Sequence, residues 1–209
     1  MNVFWHRYGA EVLRLTFEHL WLTGSAMLLA VIIGVPLGVA LTRSERLARP
    51  VLAVANILQT VPSLALFGLL LPVPWLGERA VRLAILALLA YTLLPILRNT
   101  YSGIRNVDPT LLDVAEALGM TNMQRLRKLE LPLAASLILA GIRTATVTCI
   151  GVATIAAAVG AGGLGELIFR GVASVDNTLV LAGAIPAALL ALAADGLLGF
   201  AEKKLVVRR

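Results

Sequence analysis

The chain of 209 residues is 59% hydrophobic and only 14% charged, with a mean hydropathy of +0.89, which excludes an ordinary soluble domain and places it among membrane-embedded chains. Five spans of roughly 20 residues use about 100 apolar positions, so no sizeable extramembrane domain fits. The formal charge of +6 reads in such a chain as cytoplasmic loop charge rather than a nucleic-acid surface, and the single cysteine, Cys149, excludes an internal disulfide.

At the N-terminus, Phe4, Trp5, Tyr8, Val12, Leu15 and His19 recur near helical spacing, which predicts an amphipathic interfacial helix over residues 1 to 19. Glu11, Arg14 and Glu18 interrupt it, so no signal peptide is expected. The apolar stretches that follow predict spans at Leu20 to Leu41, Val51 to Leu71, Ala80 to Leu97, Leu133 to Val159 and Leu179 to Phe200. Together they make an all-α polytopic domain over residues 20 to 204, with a basic cytoplasmic tail at 205 to 209. Lys and Arg number twelve on the side holding Arg43, the 98 to 132 connection and Lys203, against five on the side holding Arg7, Arg79 and Arg170. That asymmetry predicts an outside N-terminus and a cytoplasmic C-terminus.

Two features stand out within the first two spans. Gly34 and Gly38 give the G-x-x-x-G pattern of close helix contact. Asn56, Gln59, Thr60 and Ser63 fall at i, i+3, i+4 and i+7, so four polar groups share one face of the second span, either bonding neighbouring helices or lining a polar path. Pro62 on that face releases a backbone carbonyl at position 58.

The cytoplasmic connection, about 105 to 132, is strongly punctuated. Asp108 caps and Pro109 opens a helix whose Leu111, Ala115 and Leu118 share a face, and Gly119 suits a left-handed end. Thr121 and Gln124 then form a capping box for a second helix carrying Met123, Leu126 and Leu129, which Pro132 is expected to end. Water would leave both apolar stripes unburied, so they pack either on this chain's own helix ends or on a partner.

Farther along, Arg143 and Asp195 lie about 16 Å and about 12 Å above the cytoplasmic side at 1.5 Å per helical residue. Similar depth predicts an ion pair, with snorkelling or a water-lined position for Arg143 as the alternatives. Gly160 to Gly165 satisfies G-x-G-x-x-G, but the element before it is a membrane helix and not a strand, so a flexible extracellular turn is expected and a dinucleotide site is not. No nucleophile, base and orienter set is discernible, His6 and His19 have no second ligand at metal spacing, and no P-loop is present. No catalytic residue, metal or cofactor is therefore expected in this chain.

The run DVAEALGMTNMQRLRKLELP, from Asp113 through Pro132, resembles the E-A-A-x(3)-G-x(9)-I-x-L-P loop of permease subunits of ABC-type importers. Ala115, Gly119, Leu131 and Pro132 match; Asp113, Val114 and Leu129 replace Glu, Ala and Ile. QTVPSLALFGLLLP from Gln59, LLPILRNTYSGI from Leu93 and the segment Gly141 to Gly171 look like the osmoprotectant branch, whose members import glycine betaine, carnitine, choline or proline. The resemblance implies a type I ABC importer permease whose loop residues Leu111, Asp113, Ala115, Leu118, Gly119, Met123, Leu131 and Pro132 form the coupling helix. It also implies ATP-binding subunits that carry ATP and Mg, a second permease copy or paralogue, an extracytoplasmic binding protein that selects substrate, and the bacterial or archaeal inner membrane. The alternatives are a methionine or other amino-acid importer and, from a different class, an ATPase-independent secondary transporter or membrane assembly subunit.

Overall fold

The computed structural model describes residues 2–77 and 79–206, and the side chains of residues 8–75 and 79–204. Among them every regular element is helical. Helix α1 runs Asn2–Leu41 without interruption, so residues 1 to 19 are continuous with the first span and do not form a separate interfacial helix. The helical period expected there is present, but the apolar face meets protein: Val12 and Leu15 are buried among Leu164, Leu167, Leu179 and Ala182. His19 is buried as well, donating from Nε2 to the Ile150 carbonyl at 3.1 Å. The side chains of Phe4, Trp5 and His6 and those of the 205 to 209 tail lie outside the described residues.

The second span is broken. Helix α2 (Glu45–Thr60) and helix α3 (Ser63–Leu70) meet at 100°. Pro62 causes this: it lacks an N–H and drives the preceding Val61 into the extended region, φ −68° and ψ 127°. Ser63 therefore starts a new helix and does not continue the face of Asn56, Gln59 and Thr60. The chain leading into the break is tied to α5 (Ala80–Arg105), which follows the single turn α4 (Pro74–Gly77). Gln59 Nε2 donates to the Tyr91 carbonyl at 2.8 Å, and the Tyr91 hydroxyl donates to the Val61 carbonyl.

Helix α5 is the hub. Leu83, Ala84, Ala87, Leu88 and Ile96 are fully buried on it, and small residues bring its neighbours close on both flanks. A Cβ on Gly34 would sit 2.8 Å from Ile96 Cγ2, and one on Gly38 2.7 Å from Thr100 Cβ, so the G-x-x-x-G pair is the α1–α5 crossing. Gly141 does the same for α8 (Leu131–Ala153), where a Cβ would lie 2.6 Å from Asn99 Cβ.

Between α5 and α8 lie α6 (Pro109–Ala117), α7 (Asn122–Arg125) and a π turn, Leu126–Glu130. Pro132 does not end this path: helical structure continues from Asn122 to Ala153. The π turn makes that permissible. The Leu131 N–H bonds the Leu126 carbonyl five residues back, and the widened turn relieves the clash a proline ring makes with the preceding turn.

After a 3₁₀ turn, Ile155–Val159, the glycine run leads into α9 (Gly165–Ala173) and then α10 (Asn177–Val206). The run is packed, not a free turn. Gly160, Gly162 and Gly163 take φ of 77°, 86° and 82°, Ala161 and Leu164 are buried, and the Gly163 N–H donates to Glu18 at 3.2 Å. Among the described residues four helical segments are long and apolar enough to cross a membrane, or five if the bent α2–α3 pair counts as one span.

Candidate functional site

The 105 to 132 connection forms a capped hairpin on the side carrying most of the Lys and Arg. The Asp108 carboxylate accepts from the Thr110 N–H at 2.8 Å, with Pro109 at the first helical position of α6. The far end of α6 closes as a Schellman motif: Gly119 N–H bonds the Glu116 carbonyl at 2.9 Å and Met120 N–H bonds that of Ala115 at 3.0 Å. Gly119 sits at φ 73° as that motif requires. The capping box of α7 is reciprocal, with Thr121 N–H to Gln124 Oε1 at 2.9 Å and Gln124 N–H to Thr121 Oγ1 at 3.3 Å.

This local order holds an apolar surface out to solvent. Leu118 is 76% exposed, and Leu111, Val114 and Met123 are also exposed. Ala115, expected on that surface, points inward at 4% exposure. Val114 takes its place, because i, i+3 and i+7 put Leu111, Val114 and Leu118 on one stripe. Asp113 and Pro132 are exposed and Leu131 is half-buried. Four large apolar side chains thus stand exposed on one short hairpin.

A second group lies within the spans. Arg143 on α8 donates to both carboxylate oxygens of Asp195 on α10, Nε to Oδ1 at 2.6 Å and Nη2 to Oδ2 at 2.8 Å, and Nη1 reaches Glu202 at 3.4 Å. The two side chains are 36% and 42% exposed within this chain. With Thr144 and Thr148 they line an open cavity of about 350 Å³ on the outside of the bundle. Asn56 and Thr60 are likewise exposed, whereas Gln59 is spent on Tyr91. Polar groups inside a membrane span require protein or water as partners.

Sequence patterning missed one group here. Glu130 is 2% exposed and is held by Arg43 and Arg125. Arg125 and Glu130 are five apart, on different faces of an α-helix, and only the π turn brings them together. No group of three metal-ligating side chains occurs among the described residues.

The sequence pattern of the family described as binding-protein-dependent transport system inner membrane component matches residues 26–207. The chain belongs to this family, the permease subunits of ABC transporters. It is 48% identical over 198 residues to the carnitine transport permease protein OpuCD of Listeria monocytogenes, covering 94% of this chain and 87% of that one. It is 45% identical over 197 residues to the choline transport system permease protein OpuBB of Bacillus subtilis, covering 94% and 89%. With the osmoprotectant import permease protein OsmW of Salmonella typhimurium the identity is 48% over 186 residues, covering 88% and 86%. Among solved structures, an inward-facing conformation of the MetNI methionine ABC transporter superposes with a TM-score of 0.76 at 26% identity, covering 90% of this chain and 94% of that one.

Proposed function

We propose that this chain is the membrane-embedded permease of an ATP-driven importer that carries an osmoprotectant, glycine betaine, choline, carnitine or proline, across the cytoplasmic membrane. The observation that carries the reading is the capped α6–α7 hairpin, which holds Leu111, Val114, Leu118 and Met123 in solvent. Such a surface fits a groove on an ATP-binding subunit, where ATP and Mg reside and hydrolysis occurs. The N-terminus lies outside and the C-terminus in the cytoplasm, in keeping with the twelve Lys and Arg on the hairpin's side.

Five spans enclose no wide internal path, so the substrate passes between this chain and a second permease, copy or paralogue. The exposed Asn56 and Thr60, with Ser63 beyond the break, and the Arg143–Asp195 pair border that path. An extracytoplasmic binding protein delivers the substrate. The named substrates of the relatives at 45% and 48% identity support an osmoprotectant over methionine, the substrate of the structural relative at 26%. A secondary transporter leaves the hairpin's apolar surface without a use.

The test is reconstitution of this chain with its ATP-binding subunit and binding protein in proteoliposomes, followed by uptake of the four labelled compounds. ATP-dependent accumulation of at least one is the expected result. Uptake by this chain alone, driven by an ion gradient, overturns the proposal.

A further inference from the structure

The α6–α7 hairpin has few anchors on the bundle. Ala115 is the one buried residue of α6, and α7 has none. Besides the covalent path through the π turn, α7 is held by a carboxylate. Glu130 Oε1 accepts from Arg125 Nε, the last residue of α7, at 2.9 Å and from Arg43 Nη1 at 3.4 Å, while Oε2 accepts from Arg43 Nη2 at 2.6 Å.

Arg43 belongs to the corner between α1 and α2, two residues after α1 ends and two before α2 begins. One buried carboxylate therefore joins the hairpin to that corner. The corner has a second tie, Arg105 at the end of α5 to Glu45 at the start of α2 at 2.8 Å, but both partners of that pair are exposed and screened by water. From the corner, α2 runs directly to the Thr60–Ser63 break.

We infer that Glu130 is a positioning residue for coupling, passing displacement of the α7 helix through Arg43 to the α1–α2 corner and so to the broken span. The inference rests on the proposed importer function and adds the residue that links its two working parts. A buried carboxylate gripped by two guanidiniums from separate elements resists separation from either, because each lost partner leaves charge uncompensated. Motion of α7 thus carries the corner with it, where the exposed pair alone would let it slip.

The experiment uses the complete transporter in proteoliposomes and measures substrate moved per ATP hydrolysed, together with subunit stoichiometry and thermal midpoint. Glu130→Gln keeps the shape and removes the charge. The expected result is an assembled complex that still hydrolyses ATP but whose transport per ATP falls about tenfold, within the range by which residues between two sites modulate coupling. Glu130→Asp, which keeps the charge, restores most of the ratio. Adding Arg43→Gln to Glu130→Gln lowers it no further.

A Glu130→Gln complex with a lowered thermal midpoint and a wild-type ratio overturns the inference, since the carboxylate then only stabilises. Should Glu130→Gln fail to assemble, Arg43→Gln decides: its side chain is partly exposed and Glu130 keeps Arg125. A reduced ratio in that variant supports the inference and a wild-type ratio overturns it. Absence of ATP-driven uptake by the wild-type complex overturns the importer reading and this inference together, whereas wild-type uptake with an unchanged ratio in the variants overturns this inference alone.

Discussion

Two glycine turns stand at opposite ends of the molecule, and both place glycine in the left-handed region, yet their surroundings are opposite. At Gly119, φ 73°, an added Cβ would meet nothing within 4 Å. The turn ends one short helix, starts another and leaves their apolar residues in solvent. From Gly162 to Gly165 the chain is pressed onto its neighbours: a Cβ on Gly162 would lie 2.7 Å from Glu18 Oε2, and one on Gly165 would overlap the Thr154 carbonyl. Identical backbone chemistry thus serves an open interface in one place and closure of the bundle in the other, and neighbouring atoms decide which.

The largest expected effect follows from the closed turn. Gly165→Val drives a side chain into the Thr154 backbone and costs about 3 kcal/mol or more. Loss of monodisperse protein on size exclusion in detergent is the expected readout; a well-folded variant breaks the contrast. Gly119→Val, with only backbone strain of roughly 1 to 3 kcal/mol, leaves the spans inserted but re-aims α7. Binding-protein-stimulated ATP hydrolysis by the purified complex is expected to vanish, and wild-type stimulation refutes a coupling role for the turn.

Leu118→Asp tests the open surface without touching its frame. Stability of the free permease changes by about 0.5 kcal/mol or less, as at other exposed sites, while capture of the ATP-binding subunit weakens about tenfold or more, which titration of the two purified components measures. Gly160→Ala gives the smallest effect and the sharpest control. Its Cβ would meet only Ala80 Cβ at 4.0 Å, so it carries the left-handed penalty of about 1 kcal/mol and lowers the thermal midpoint slightly with coupling intact.

A separate check concerns the half-exposed Arg143 and Asp195, whose loss costs less than that of a fully buried pair. A double-mutant cycle with Arg143→Gln and Asp195→Asn, read as thermal midpoints, is expected to be non-additive, and additive values mean the contact contributes nothing.

Much of this was legible because the signals are local. Asp108, Pro109, Gly119, Thr121 and Gln124 each act on backbone groups within five residues, so their spacing alone specifies the hairpin. Gly34 and Gly38 announced a close crossing, although the partner α5 became known only from the packing. Non-local outcomes were hidden. Whether residues 8 to 19 face headgroups or α9 and α10 depends on elements about 150 residues away, and the period is the same in both cases. Pro132 reads as a stop on α-helical spacing; the π turn changes that spacing and also makes Glu130 the partner of Arg125. Pro62, in contrast, stands at a break where a continuous span was expected, whereas Pro36, Pro95 and Pro186 lie inside unbroken helices, so a proline alone does not tell the two outcomes apart.

The 100° break also bears on how the chain enters the bilayer. The sixteen residues of α2 reach about 24 Å and the eight of α3 about 12 Å along their axes, and neither matches a hydrocarbon core of about 30 Å. The Val61 carbonyl at the bend needs the Tyr91 hydroxyl, and Gln59 needs the Tyr91 backbone, but Tyr91 is synthesised thirty residues after the bend. The polar groups of the bent span therefore have these partners only once α5 has been made and packed beside it. The second span is thus not self-sufficient: its bend is completed by a residue thirty positions later in the chain.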